Sequence, residues 1–106
     1  MREDGHNHTY MVNSEFEWDV VKEILNLEKH GISFSEASET FSDPKGLQIE
    51  DLRHSRFEKR LYWIGEAPSG RILTTWFTKR ENVIRIIGSA ELRKFRKFYY
   101  ENTQTE

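Results

Sequence analysis

The sequence predicts an α+β fold with two N-terminal helices, an antiparallel sheet of about four strands and a C-terminal helix. Three observations carry this. Apolar residues recur at helical spacing from Trp18 to His30 and again from Phe34 to Phe41. From Leu47 the period falls to two and holds as far as Gly88, with short turns between the runs. Leu92, Phe95, Phe98 and Tyr99 then restore the helical period. Helices and strands that segregate along the chain, rather than alternate, place helices against an antiparallel sheet.

Residues 1–14 are polar and carry no sustained period, so they read as a flexible leader with a short strand around Thr9–Val12. A single domain is expected over residues 15–101 and a tail over 102–106. His6 and His8 form an H-x-H pair, read as tail histidines because no carboxylate or cysteine cluster accompanies them. In the first helix Trp18, Val21, Ile24, Leu25 and Leu27 form the apolar stripe, which predicts Lys22, Glu23, Asn26 and Lys29 mostly outside. Gly31 supplies the left-handed position that ends it, with Lys29 and His30 in the last turn where the helix dipole favours cations. Ser33-Phe34-Ser35-Glu36 is a capping box for the second helix, with Ile32 and Ala37 spaced for a hydrophobic staple. Asp43-Pro44-Lys45-Gly46 stops that helix.

Four strands follow, over Leu47–Asp51, Arg60–Gly65, Arg71–Thr78 and Val83–Gly88, joined by Ala67-Pro68-Ser69-Gly70 and Lys79-Arg80-Glu81-Asn82. Connections this short favour a meander. Ser89 is the expected N-cap of the last helix, whose outer side is coated by Arg93, Lys94, Arg96 and Lys97.

A chain of 106 residues makes one domain with a real core. Cysteine is absent, which removes disulfides and thiolate metal sites and fits a reducing cytoplasm. No apolar run reaches the length of a membrane span, and the N-terminus lacks a signal-peptide core, so the expected address is cytoplasmic with no membrane partner.

Charge is divided unevenly. Residues 1–52 hold four Lys/Arg against twelve Asp/Glu, whereas residues 53–97 hold twelve against four. A cationic segment of that density can attract phosphate even on a chain of net charge −2. Within it, Arg85 interrupts Val83-Ile84-Arg85-Ile86-Ile87, where a guanidinium needs an anion, a carboxylate or a wet sheet face. His54 and Glu58 stand among Arg53, Arg56 and Arg60. RNA cleavage by internal transesterification needs this residue set: a base for the 2′-OH, an acid for the leaving 5′-oxygen and fixed cations on the phosphorane. Solvated charges on a surface loop give the same local pattern. P-loop, Rossmann and G-x-S-x-G signatures are absent, and no metal cluster or cofactor is expected.

A longer pattern resembles a known family. Phe16-Glu17-Trp18-Asp19, Lys22, Asn26, Lys29-His30-Gly31-Ile32-Ser33-Phe34, Glu36-Ala37, Phe41 and Asp43-Pro44 resemble the N-terminal half of the BrnT toxins. His54-Ser55, Glu58, Arg60, Ile64-Gly65, Gly70-Arg71, Leu73, Thr78, Arg80 and Ile84-Arg85-Ile86-Ile87 extend the likeness to about residue 100. The resemblance implies a RelE-like fold and a ribonuclease that arrests translation. It also implies a ribbon-helix-helix antitoxin of the BrnA type, a two-toxin, two-antitoxin heterotetramer, and operator DNA bound through the antitoxin. Carried over by position, it assigns catalysis to His54, Glu58, Arg60 and Arg85, and RNA binding to Arg80, Arg93, Arg96 and Lys97.

One departure stands out. Many members read Ser-Ala-Arg where this chain reads Ser89-Ala90-Glu91. Loss of that arginine supports an alternative reading as a weak or inactive homologue that binds antitoxin as a co-repressor, unless Arg93, two residues on, substitutes for it. A third reading, a backbone binder of RNA or DNA without antitoxin, rests on the basic segment alone. Trp18, Trp63 and Trp76 are expected in the core or at its rim.

Overall fold

Alternation begins earlier than the helical reading allows. The computed structural model describes residues 9–11 and 15–103, with side chains from residue 15 on. Phe16 and Trp18 are buried while Glu17 and Asp19 between them are less so, and Phe16–Asp19 forms a strand, β2. It follows β1 (Thr9–Met11), the short strand expected within the leader. The histidine pair His6/His8 lies outside the described residues. Asp19 then turns chain direction into α1 (Val20–His30), its carboxylate accepting from Val21 N at 2.8 Å. Trp18 therefore belongs to the sheet, not to the helix. Gly31 ends α1 at φ 70°.

Helix α2 (Phe34–Glu39) starts at Ser33, whose Oγ accepts from Glu36 N at 3.0 Å as the capping box requires. The reciprocal half of the box is absent. Glu36 turns to Arg71, and Glu23 of α1 takes the Phe34 N–H at 2.9 Å instead. Nor does the staple form: Ile32 packs with Ala67 and Leu73, while Ala37 joins Phe34. Strands β3 (Leu47–Glu50), β4 (Leu61–Glu66), β5 (Ile72–Arg80) and β6 (Val83–Ala90) follow, then α3 (Arg93–Thr103).

The α+β class holds, with two corrections to the sheet. It has six strands in the order β1-β2-β6-β5-β4-β3, and it is mixed, because β2 runs parallel to β6. Lys79 and Arg80 extend β5, so the hairpin turns on Glu81 and Asn82 alone, with Glu81 at φ 59°. Ser89 is no helix cap. It is fully buried in β6, where its hydroxyl meets Thr75 Oγ1 at 2.9 Å.

The two sheet faces have different covers. Phe16, Trp18 and Ile86 pack under Phe34 and Ala37 of α2, and Phe41 joins Phe77 edge-on at 5.1 Å. On the other face Ile64 and Ile72 pack against Tyr99 and Phe95 of α3. Tyr99 is buried and Tyr100 exposed. Helix α3 covers this second face only where β3, β4 and the start of β5 lie. Beyond α3, on β6 and the far end of β5, the face is met instead by the β3–β4 loop and Lys22 of α1, and Thr78 there is buried.

Helix α1 packs against β6 where β2 ends. Its buried residue is Asn26, predicted to be outside. The Asn26 amide donates to Ser89 O at 2.9 Å and to Ile32 O at 3.0 Å, and its Oδ1 accepts from Ser89 N at 3.1 Å. One side chain thus does for the β6 edge what a neighbouring strand would do, satisfying both backbone groups of a buried residue. Among the described residues no helix is long and apolar enough to cross a membrane.

Candidate active site

The site is built by one loop and the part of one sheet face that α3 does not reach. The loop joins β3 to β4 and closes on itself: Asp51 N donates to Arg60 O at 2.8 Å, and Arg60 N donates to Ser55 Oγ at 2.9 Å. Ser55 Oγ in turn donates to Asp51 O at 2.6 Å. These bonds hold Arg53, His54, Arg56, Phe57, Glu58 and Arg60 around a pocket of about 440 Å³. From the sheet, Thr78 and Arg80 of β5 and Arg85 and Ile87 of β6 complete the wall, and Lys22 of α1 closes one side.

The residues singled out in the sequence thus converge: His54, Glu58, Arg60, Arg80 and Arg85 all line this pocket. Arg93, Arg96 and Lys97 do not. They are exposed on the side of α3 turned from Phe95 and Tyr99, and Lys97 faces Glu101 at 3.9 Å. Geometry therefore separates a pocket set from a set on an outer helix face.

Charge within the pocket is organised in pairs. Glu58 takes both Nε and Nη2 of Arg80, at 2.9 and 3.1 Å. That bidentate bond holds the Glu58 carboxyl below its ordinary range, against the opposing effect of burial, with Arg85 adding to the lowering. Thr78 Oγ1, buried without a partner of good geometry, lies near enough to Glu58 to contribute weakly. Arg85 donates to Glu17 Oε2 at 3.1 Å across the parallel β2–β6 pair, the carboxylate that a strand arginine requires. Among the described residues no side-chain carboxylate pairs with Lys22, Arg53, Arg56 or Arg60 within 4 Å, so the pocket keeps a cationic surplus.

Sequence reasoning missed three participants. Asp51, only 6% exposed, meets His54 Nδ1 at 2.9 Å. Burial by itself raises the Asp51 pKa, but hydrogen bonds from His54 and Tyr62 overcome it and leave the carboxyl lowered. An ionised carboxylate only accepts, so the His54 proton sits on Nδ1 and Nε2 is left for other work. An aspartate three residues before a histidine in a polar loop was the available signal. Phe57 is 92% exposed at the pocket mouth, with Arg56 5.1 Å from its ring centre. Lys22 was hidden because helical periodicity does not say which loop a helix faces.

Position 91, where the resemblance expects an arginine, lies elsewhere. Glu91 holds Arg71 Nη1 at 3.4 Å, in a network where Arg71 also binds Glu36 and Gly31 O. It does not line the pocket.

Comparison with known proteins agrees with this architecture. No curated protein matches the chain. In fold it is similar to the crystal structure of the Brucella abortus ribonuclease toxin BrnT, with a TM-score of 0.55 and 20% identity over 71% of this chain and 91% of that one. A likeness at that identity speaks for the fold alone. The family model described as the ribonuclease toxin BrnT of type II toxin–antitoxin systems matches residues 18–95. The chain therefore belongs to the BrnT family of ribonuclease toxins, whose systems pair each toxin with an antitoxin.

Proposed function

We propose that the pocket cleaves RNA by metal-independent attack of a 2′-OH on the adjacent phosphate. One observation carries this reading: a histidine, a carboxylate and six Lys/Arg side chains line one pocket between the β3–β4 loop and the sheet. In the reaction a base removes the 2′-OH proton, O2′ bonds to phosphorus and the P–O5′ bond breaks as an acid protonates the leaving oxygen. The ends are a 2′,3′-cyclic phosphate and a 5′-OH.

The geometry favours particular roles. Glu58, doubly bonded to Arg80 and held ionised, is unsuited to donate a proton; it positions Arg80 and is available only as a base. His54, oriented by Asp51, presents Nε2 as the group that moves a proton to or from the substrate. Arg60 and Arg85 hold the scissile phosphate, where their charge opposes the developing dianion. Phe57 offers a ring to a flanking base. Arg93, Arg96 and Lys97 guide backbone outside the pocket. In the cell, such cleavage would arrest translation until a ribbon-helix-helix antitoxin binds, as a two-toxin, two-antitoxin complex that also occupies operator DNA.

Incubation of the protein with a long RNA in EDTA, with and without ribosomes, tests the reading. EDTA-resistant cuts with 5′-OH ends, lost in Arg60→Ala/Arg85→Ala, are expected. Undiminished cutting by a folded double variant would refute the site. An intact RNA under active translation would favour the alternative, an antitoxin-binding co-repressor without cleavage.

A further inference from the structure

Helix α1 is inside out. Its inward residue is a polar one, Asn26, while Val21, Ile24, Leu25 and Leu27 are 43%, 51%, 56% and 45% exposed. Asn26 explains why: the helix is fixed to the β6 edge by hydrogen bonds, so its apolar stripe is not consumed by the core. Four neighbouring aliphatics on one helix face make an apolar patch of the kind that marks an interaction site.

The patch does not end at the helix. Leu25 is also one wall of a groove of about 290 Å³ floored by Trp76 and Gly88. A Cβ on Gly88 would come within 2.5 Å of the Trp76 ring, so only glycine lets that ring lie flat as a floor. The groove shares Lys22 and Ile87 with the cationic pocket. Apolar stripe, groove and basic pocket therefore form one continuous track.

We infer that this track is the docking surface for the antitoxin, and that its occupant is an amphipathic segment whose aliphatic side chains seat on α1 and whose carboxylates continue into the basic pocket. The chemistry of the track selects this occupant. Aliphatic anchors answer Val21, Ile24, Leu25 and Leu27; carboxylates answer the cationic surplus beyond Lys22. A second copy meeting the stripe about a two-fold axis would present the same patch and leave those cations unanswered. RNA answers the cations but not the aliphatics, and Glu28, exposed within the stripe, repels phosphate. The inference deepens the proposed function, since it rests on the basic pocket being the RNA site: a segment lying along the track closes that pocket to RNA.

The test uses the full-length chain, the antitoxin protein of its own operon and a single-stranded RNA oligonucleotide. Ile24→Glu/Leu25→Glu changes two side chains that are already half exposed, so the fold is retained. It is expected to weaken antitoxin binding by about 100-fold while RNA cleavage stays intact and becomes resistant to antitoxin. Arg60→Ala/Arg85→Ala is expected to weaken antitoxin binding as well, and to flatten its salt dependence. Unchanged antitoxin affinity in Ile24→Glu/Leu25→Glu would overturn the inference. So would a wild-type homodimer that this variant dissociates without loss of antitoxin binding, or a variant that loses RNA but keeps antitoxin. Antitoxin binding is read directly, so a wild-type chain that cuts no RNA would count against the ribonuclease reading and leave the docking result standing.

Discussion

Asp51→Asn isolates what the buried carboxylate does for His54. The substitution keeps shape but removes the charge that fixes the Nδ1 proton across the 2.9 Å contact. A hydrogen bond to a charged group contributes about 1.5–3 kcal/mol. The His54 side chain is 56% exposed, so solvent screens the interaction and roughly 1–2 kcal/mol is the reasonable share. If that share acts in the transition state, cleavage should slow about 5–30-fold at saturating RNA, with KM little changed. Single-turnover cleavage of a fluorescent oligonucleotide measures it. The decisive comparison is a cycle with His54→Ala. Because Asp51 acts through His54, the double variant should be no slower than His54→Ala alone. The bell of rate against pH should also shift in Asp51→Asn, which a merely structural role would not produce. Losses that simply add, or a rate within twofold of wild type, would refute the positioning role.

Three further outcomes follow from the same geometry. Phe57→Ala should raise KM for RNA about 10-fold through lost stacking, with Tm unmoved because the ring is 92% exposed; an unchanged KM in binding assays would remove Phe57 from the site. Asn26→Ala strands both backbone groups of the fully buried Ser89 and should cost about 3 kcal/mol. With a urea slope of about 1.5 kcal/mol/M, the midpoint should fall by about 2 M. A fall under about 0.5 M would mean that water replaces the amide. Acid should destabilise the fold. Glu36 is lowered by its bond to Arg71, and Asp43, despite burial, by bonds from Tyr99 and the Glu66 and Lys45 amides. Carboxyls with folded pKa values below their unfolded ones stabilise above the unfolded values of about 4, and this is lost as pH falls through the folded ones. Urea midpoints should thus decline below about pH 5, and less steeply in Glu36→Gln.

What the sequence conveyed and what it hid have physical causes. Gly31 and Ser33 were legible because a left-handed stop and a helix cap are local demands met by few residue types. The pocket was legible because five of its members belong to charged positions in or beside strands, where a charge needs a reason. The parallel β2–β6 pair was not: Phe16 and Trp18 satisfy a period of two, Trp18 and Val21 a period near 3.6, and four residues do not decide between them. The cap at Ser89 failed because tertiary pairing carried β6 through Ala90, overriding a residue that merely tolerates a helix start. Asp51 escaped notice because a buried carboxylate in a polar loop looks like any other until the loop closes.

The orientation of α1 was the deepest error, and its cause bears on function. Periodicity reports that a helix has an apolar side; it does not report what that side is for. Here a single asparagine anchors the helix by satisfying a sheet edge, a task that would otherwise require another strand. That anchor releases Val21, Ile24, Leu25 and Leu27 from the core. Lys22, beside Leu25 on the same helix, reaches the pocket. One short helix therefore touches the candidate catalytic site through a cation and offers an apolar stripe beside it. Asn26 is the residue that lets one helix present both, a cation at the pocket and aliphatic side chains left outside the core.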